Sequence, residues 1–276
     1  MIRTYYWHER VVGRAGHWIL RRLARNADRY FSTGNAGDIF VKDLIGRQFG
    51  MQSANVSGEG RRLLLIGSIA HKALPGDVIC GIGSKTPELP VKDKDLLVHA
   101  LRGPMSYEAF GRAGHDLTQV KFLLDPGLLI REFVDTAQSP KIGRIGLVAH
   151  YRERSFYAPS PEGIHLINID ASPIAVARGI LSCEMIYSSS LHGIVFAHAL
   201  GRPCVLLRPR TPEPLFKYRD YYASVGLPMP VPLDELGGQR FASKPVSPAD
   251  IRFTMSDFSF PSPALLRERG VIVGDA

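Results

Sequence analysis

The chain has 276 residues, a net charge of +8 and 45% hydrophobic residues spread along its length, enough for two small packed lobes. No apolar run approaches the roughly 20 residues of a membrane-spanning helix and the N-terminus lacks the uncharged core of a secretory signal, so a cytoplasmic protein is expected. The charge favours anionic partners, but no aromatic-interleaved basic patch or nucleic-acid motif is present, and Cys80, Cys183 and Cys204 lie in apolar segments without zinc-site spacing, as buried thiols would.

Near the start, His17 to Arg25 (HWILRRLAR) mixes apolar and basic residues at helical spacing. A surface helix is the plain expectation; peripheral docking on the inner face of the cytoplasmic membrane is the second reading of it. Phe31 to Gly50 predicts a glycine-rich turn opening an amphipathic helix, with Phe40, Leu44, Ile45 and Phe49 as its apolar stripe and Gly50 as C-cap. Continuous apolar runs at Arg62 to Ser68, Asp77 to Gly83 and Asp95 to Gly103 suit strands buried on both faces of a parallel sheet, and Pro104 starts the next helix. A Pro/Ser/Lys stretch at Gln138 to Lys141 then divides the chain into an N-terminal lobe, 1–138, and a C-terminal lobe, 139–276.

The alternation begins again with strands at Arg144 to His150 and Gly163 to Ile169. A helix capped by Ser172-Pro173 follows, then a strand and loop at Glu184 to Ser190. His192 to Gly201 is apolar on nearly every side, as a buried helix is, and Arg202 to Leu207 is the strand after it. The expected fold class is α/β, with two Rossmann-like layers facing across a cleft. The proline-rich tail after about Ser243 has weak periodicity and no legible role.

The strongest chemical signal is Tyr187-Ser-Ser-Ser-Leu-His-Gly193, where a buried strand ends and a buried helix begins. That junction is the usual ligand edge of an open α/β sheet, and free N–H groups at the helix start suit a phosphate or carboxylate. The dipole should favour neutral imidazole at His192 in the free protein, whereas a bound phosphate would favour the protonated acid. A structural alternative makes Ser189 or Ser190 an ordinary N-cap and His192 a satisfied polar residue. Gly34-Asn-Ala-Gly-Asp38 is a second turn that could cradle phosphate or present Asn35 and Asp38 to sugar hydroxyls, though Asp38 near a helix start also suits the dipole without function. Arginines recur after strand ends: Arg102, Arg152, Arg154, Arg208 and Arg210. Bidentate arginine bonds to carboxylate or phosphate contribute roughly 1.5–3 kcal/mol. The Gly81 to Lys85 stretch is too short for a P-loop and is assigned to structure, and the nucleophile elbow of serine hydrolases is absent.

These segments in order resemble the polysaccharide pyruvyl transferase family: GNAGD, LLLIGS with GDVICGIGS, LRGPMSYEAF, LLDPGLL, VAHYRER and SSSLHGIVFAHALGRP. The resemblance implies a GT-B-like pair of lobes that transfers the enolpyruvyl carbons of phosphoenolpyruvate to hydroxyls of a sugar or lipid-linked oligosaccharide. Phosphoenolpyruvate would be a co-substrate, with no other cofactor, no metal and no nucleic-acid partner. By position His192 carries over as the family's catalytic histidine, Arg102 as a donor-binding arginine, and Asn35 and Asp38 as cleft residues; in the implied chemistry His192 is the candidate acid and Asp38 the candidate acceptor of the hydroxyl proton. Substrate-binding positions are Asn35, Gly37, Ser68, Arg102, His150, Arg152, Ser189, Ser190, Leu191, Gly193 and Arg208. The family often has a basic residue immediately before Leu-His; here it is Ser190, so either Arg102, Arg152 or Arg208 substitutes from across the cleft, or donor binding is weaker, or the activity has drifted. A nucleotide-sugar glycosyltransferase and a non-catalytic sugar-phosphate binding protein are the alternatives on the same scaffold.

Overall fold

A computed structural model of the chain describes residues 1–10, 32–89, 95–236, 245–247, 251 and 253–274. The basic segment His17 to Arg25 lies outside the described residues, as does much of the tail after Ser243.

The short apolar runs form two larger sheets whose named strands pair in parallel throughout, giving a mixed α/β structure. Strands β1 (Ile2–Thr4), β4 (Ser53–Asn55), β5 (Leu63–Leu64), β6 (Val78–Cys80) and β7 (Leu97–Ala100) make the first sheet, in the order β4-β1-β5-β6-β7. Strands β8 (Ile145–Val148), β9 (Ile164–Leu166), β10 (Met185–Ser188) and β11 (Cys204–Leu206) make the second, in the order β11-β10-β8-β9. A separate antiparallel pair joins β2 (His8–Arg10) to β3 (Ser32–Gly34) and delivers the chain to Asn35. The ordered strands are shorter than the apolar runs that announced them: of Arg62 to Ser68, only Leu63 and Leu64 pair as strand, while Leu65 and Ile66 stay fully buried in the bend that follows.

Helix starts obey local chemistry. Asn35 caps α1 (Ala36–Ile39) by accepting from the Gly37 amide at 3.0 Å, and α2 (Val41–Phe49) ends on Gly50 in the left-handed region at φ 64°. Pro104 opens α3 (Pro104–Arg112), and Ser172 with Pro173 opens α4 (Pro173–Leu181). Helix α5 (Leu191–Ala199) is buried at every residue, as its sequence predicts. Helix α6 (Phe216–Ser224) and α7 (Pro263–Glu268) complete the described helices.

One apolar cluster runs between the sheets, joining Ile2, Leu63 and Val78 of the first to Val148, Ile186 and Leu206 of the second through α4 and α5. Phe40, between α1 and α2, sets its ring edge-on to Phe196 of α5 at 5.9 Å, which ties the Asn35 turn to the helix bearing His192. The chain end returns to the first sheet: Ile272 bridges antiparallel to Ile2, and Leu266 and Val271 are fully buried. All three cysteines are free and buried.

Candidate active site

The carboxyl ends of both parallel sheets open on one cavity of about 350 Å³. Tyr5 and Trp7 enter it after β1, Ser68 after β5, Lys85 after β6, His150, Tyr151 and Arg152 after β8, and Leu191 and His192 after β10. Asn35 and Asp38 come from the α1 turn, and Glu213 and Lys217 from the approach to α6 and its first turn. Ligand edges of open α/β sheets form in this way, because the loops that leave the strand ends are free to carry function.

His192 forms the floor. It is 3% exposed, its Nδ1 lies 3.3 Å from Asn35 Oδ1 and 3.8 Å from Asp38 Oδ1, and its Nε2 lies 3.9 Å from Asp125 Oδ2. Gly37 has to be glycine because a Cβ there would fall 1.9 Å from the imidazole. Gly67, at φ 112°, likewise leaves room for Asp38, whose Oδ1 would lie 2.9 Å from a Cβ. Burial, then the Arg102 and Lys217 charges, push the His192 pKa down to about 3, so the ring is neutral near pH 7. Burial pushes Asp38 up to about 7 against the pull of Lys217 and Lys85, with Asp125 and Glu213 adding to the rise.

Across the cavity Lys217 Nζ donates to Glu213 Oε2 at 2.6 Å; Glu213 Oε1 also faces Arg152 Nη1 at 3.2 Å and His150 Nε2 at 3.7 Å. Burial lowers the pKa of Lys217, with Glu213 opposing. Burial alone would raise Glu213, but Lys217 and its hydrogen bond bring it below its ordinary value. His150 is pushed down to about 4 by burial and by Lys217.

Residues 91–210 match the polysaccharide pyruvyl transferase family. The match spans the strand ends that supply His150, Arg152, Leu191 and His192, and it implies a transferase. "Uncharacterized protein L143" of Acanthamoeba polyphaga mimivirus is 28% identical over 209 residues, covering 70% of this chain and 71% of that protein. No solved structure matches.

Of the positions expected for a pyruvyl transferase site, Asn35, Asp38, Ser68, His150, Arg152, Leu191 and His192 line the cavity, and Gly37 backs the His192 ring. Arg102 lies behind the wall, fully buried, with Nε on Asp220 Oδ2 at 3.0 Å, Nη1 on Ser68 Oγ at 2.5 Å and Nη2 on the Ser84 carbonyl at 2.8 Å. Ser189 is spent on structure: its hydroxyl donates to Glu153 Oε2 at 2.6 Å and accepts the His150 amide at 3.0 Å. Ser190 stands at the α5 cap position with no side-chain capping bond, its buried Oγ unpaired. Gly193 packs against Ser188 and Val148, which a Cβ would meet at 2.3 and 2.7 Å, so its bareness serves packing. Arg208 pairs with Asp234 away from the cavity, Arg210 lies over the Phe156 and Tyr157 rings, and the side chain of Arg154 lies outside the described set.

Sequence reasoning missed Lys217 and Glu213, and assigned Lys85 to structure although it reaches the cavity. In FKYRDYYAS charged residues are threaded among aromatics with no polar face, which hints that some charge on this helix is buried but does not single out Lys217. Tyr5, Trp7 and Tyr151 are aromatics at strand ends, which sequence alone does not separate from core. Among the described residues no group of three or more His, Cys, Asp or Glu side chains is arranged to hold a metal, and no helix is long and apolar enough to cross a membrane.

Proposed function

We propose that this chain transfers the enolpyruvyl carbons of phosphoenolpyruvate to a pair of saccharide hydroxyls, closing a pyruvate ketal and releasing phosphate. The observation that carries the reading is a buried, neutral histidine whose Nδ1 faces Asn35 and Asp38 at the floor of a cavity that also holds Lys217, Lys85 and Arg152. A donor with one phosphate and one carboxylate matches that cation set, and Lys217 and Lys85 fill the role left open by Ser190 ahead of Leu-His. The uncapped start of α5 offers further N–H groups to an anion.

In the proposed reaction the donor's C2=C3 π pair takes a proton at C3, a sugar hydroxyl bonds to the cationic C2, and the C2–O bond to phosphate breaks with its electron pair. The second hydroxyl then bonds to C2, giving its proton to the released phosphate, and completes the ketal. His192 is the acid and Asp38 takes the hydroxyl proton. A dianionic phosphate beside Lys217 offsets one of the cations that hold the ring neutral, so donor binding raises the basicity of His192. Tyr5, Trp7 and Tyr151, with Trp7 and Tyr151 rings 4.5 Å apart, support a saccharide subsite at the same opening. We read the two sheets as facing lobes of a GT-B-like scaffold. Phosphoenolpyruvate is the co-substrate with no further cofactor, and the acceptor is a cell-surface or exopolysaccharide precursor of a bacterial type, free or lipid-linked, met in the cytoplasm or at the inner membrane face.

Thermal unfolding tests the donor. Phosphoenolpyruvate should raise the midpoint and UDP or GDP sugars should not, and with a saccharide acceptor the protein should release phosphate and add the mass of a pyruvate ketal. Protection by nucleotide sugars alone would hand the site to a glycosyltransferase. Protection by phosphoenolpyruvate without release, over a panel of acceptors, would leave a binding protein.

A further inference from the structure

Asp125 belongs to no role assigned so far. It follows Leu124 in the turn before Pro126, is fully buried, and spends Oδ1 on the Gly127 amide at 2.8 Å. Among the described residues its Oδ2 has no hydrogen-bond partner, and neither has His192 Nε2, which faces it at 3.9 Å. Two orphaned polar atoms, both buried and facing one another, are costly as they stand, and a small closing of the 3.9 Å gap around a shared proton would satisfy both.

The opposite side of the ring settles which nitrogen is free. Asn35 Oδ1 accepts the Gly37 amide, so this atom is the oxygen and can only accept from His192 Nδ1. The neutral ring therefore carries its hydrogen on Nδ1, toward the cavity, and its lone pair on Nε2, toward Asp125. The charged neighbours fit one shared proton: Asp38 and Lys217 stand on the cavity side, while Arg102 and Asp220 stand behind Asp125 and pair with each other. Burial raises Asp125 to about 6 despite Arg102, so the pair holds its shared proton fully only below about pH 6 and in a falling fraction above it, and burial lowers His192.

We propose that Asp125 is a positioning residue for His192, holding the proton that enters at Nε2 as the Nδ1 hydrogen leaves for C3 of the donor. This rests on the pyruvyl transfer reading for the destination of the proton, but not for the existence of the pair. The step balances: Asp125 goes from acid to carboxylate, the ring exchanges one N–H for the other and stays neutral, and C3 gains one hydrogen. The hydroxyl proton arrives on Asp38; after product leaves, the Nε2 proton returns to Asp125 and Nδ1 takes up a proton from Asp38 or solvent, which restores the starting state. The floor is thus a two-sided relay, with the ring never required to hold a full charge in a site that disfavours it.

Two measurements test it. ¹⁵N NMR of the histidine rings in the ligand-free protein, with His192→Gln to assign the signal, should show His192 protonated on Nδ1 with Nε2 shifted by a hydrogen bond, and the shift should change in Asp125→Asn. In kinetics, Asp125→Asn should keep the midpoint shift given by phosphoenolpyruvate and its KM while kcat falls about 100-fold or more, and the alkaline fall of the kcat–pH profile should move. An Nε2-protonated ring, or an Asp125→Asn enzyme with unchanged kcat and pH profile, overturns the relay. If the wild type transfers no pyruvyl group at all, the functional reading fails, and the NMR result still decides whether the pair exists. Should Asp125→Asn not fold, the wild-type tautomer carries the decision.

Discussion

The same burial moves the two side chains proposed to react, Asp38 and His192, in opposite senses, and each leaves a signature in stability. Asp38 rises from 3.8 to about 7, so between those values the folded state keeps a proton that the unfolded chain releases. Its contribution is complete below about pH 4 and is lost as the pH climbs to about 7. In Asp38→Asn that loss disappears, and the midpoint difference, variant minus wild type, should climb by several degrees between pH 4 and 7 and then level off. His192 falls from 6.5 to about 3, so its contribution is complete above about 6.5 and is lost toward 3. His192→Gln should therefore gain on the wild type as the solution is acidified, the mirror of the Asp38 result; parallel pH curves for variant and wild type would contradict either assignment. At pH 7 the His192→Gln protein should keep protection by phosphoenolpyruvate while transfer falls about 100- to 10,000-fold. His192, Asp38 and Asn35 were legible because they stand where a turn or strand end meets a helix start, a position whose chemistry is local. Lys217 was not, because a lysine two residues into a polar-aromatic helix is ordinarily solvated, and only the tertiary fold buries it against Glu213.

Helix α6 does two jobs, and they can be separated by mutation. Lys217 faces the cavity, while Asp220, one turn on, is fully buried with Arg102 and also accepts the Ser106 amide at 2.9 Å and hydroxyl at 2.6 Å. That buried pair is the bolt between α6 and the end of β7, and breaking it strands a charge in the interior. Asp220→Ala should cost about 3–5 kcal/mol and be read directly in denaturant unfolding. Arg208→Ala removes a pair whose members are 46% and 72% exposed, so it should change stability by under about 1 kcal/mol and leave the phosphoenolpyruvate KM unaltered. A large KM increase in Arg208→Ala would return that arginine to the site. Sequence periodicity found the buried strands and α5 because a continuous apolar run carries its own signal. It could not distinguish Arg102 from Arg208, since both follow a strand and only the partner, Asp220 within the core or Asp234 at the surface, decides which is structural.

At the scale of the whole molecule, the strand alternation was legible but the closure of the fold was not. The order β4-β1-β5-β6-β7 and the return of Ile272 to Ile2 pair residues far apart in the chain, and such pairing leaves no period to read. Those long connections bear on how the protein unfolds. A cut near residue 138 separates the two large sheets, yet α6 from beyond the cut is bolted to Arg102, the chain end lies on β1, and one apolar cluster includes both sheets. The halves share enough buried surface that neither should survive loss of the other. Calorimetry should therefore show one unfolding transition, with calorimetric and van't Hoff enthalpies in agreement. Phosphoenolpyruvate should shift that transition as a unit, since its cavity takes residues from both sheets. Two resolved transitions, only one of them moved by the donor, would mean that the shared core does not couple the halves and that the site belongs to one of them.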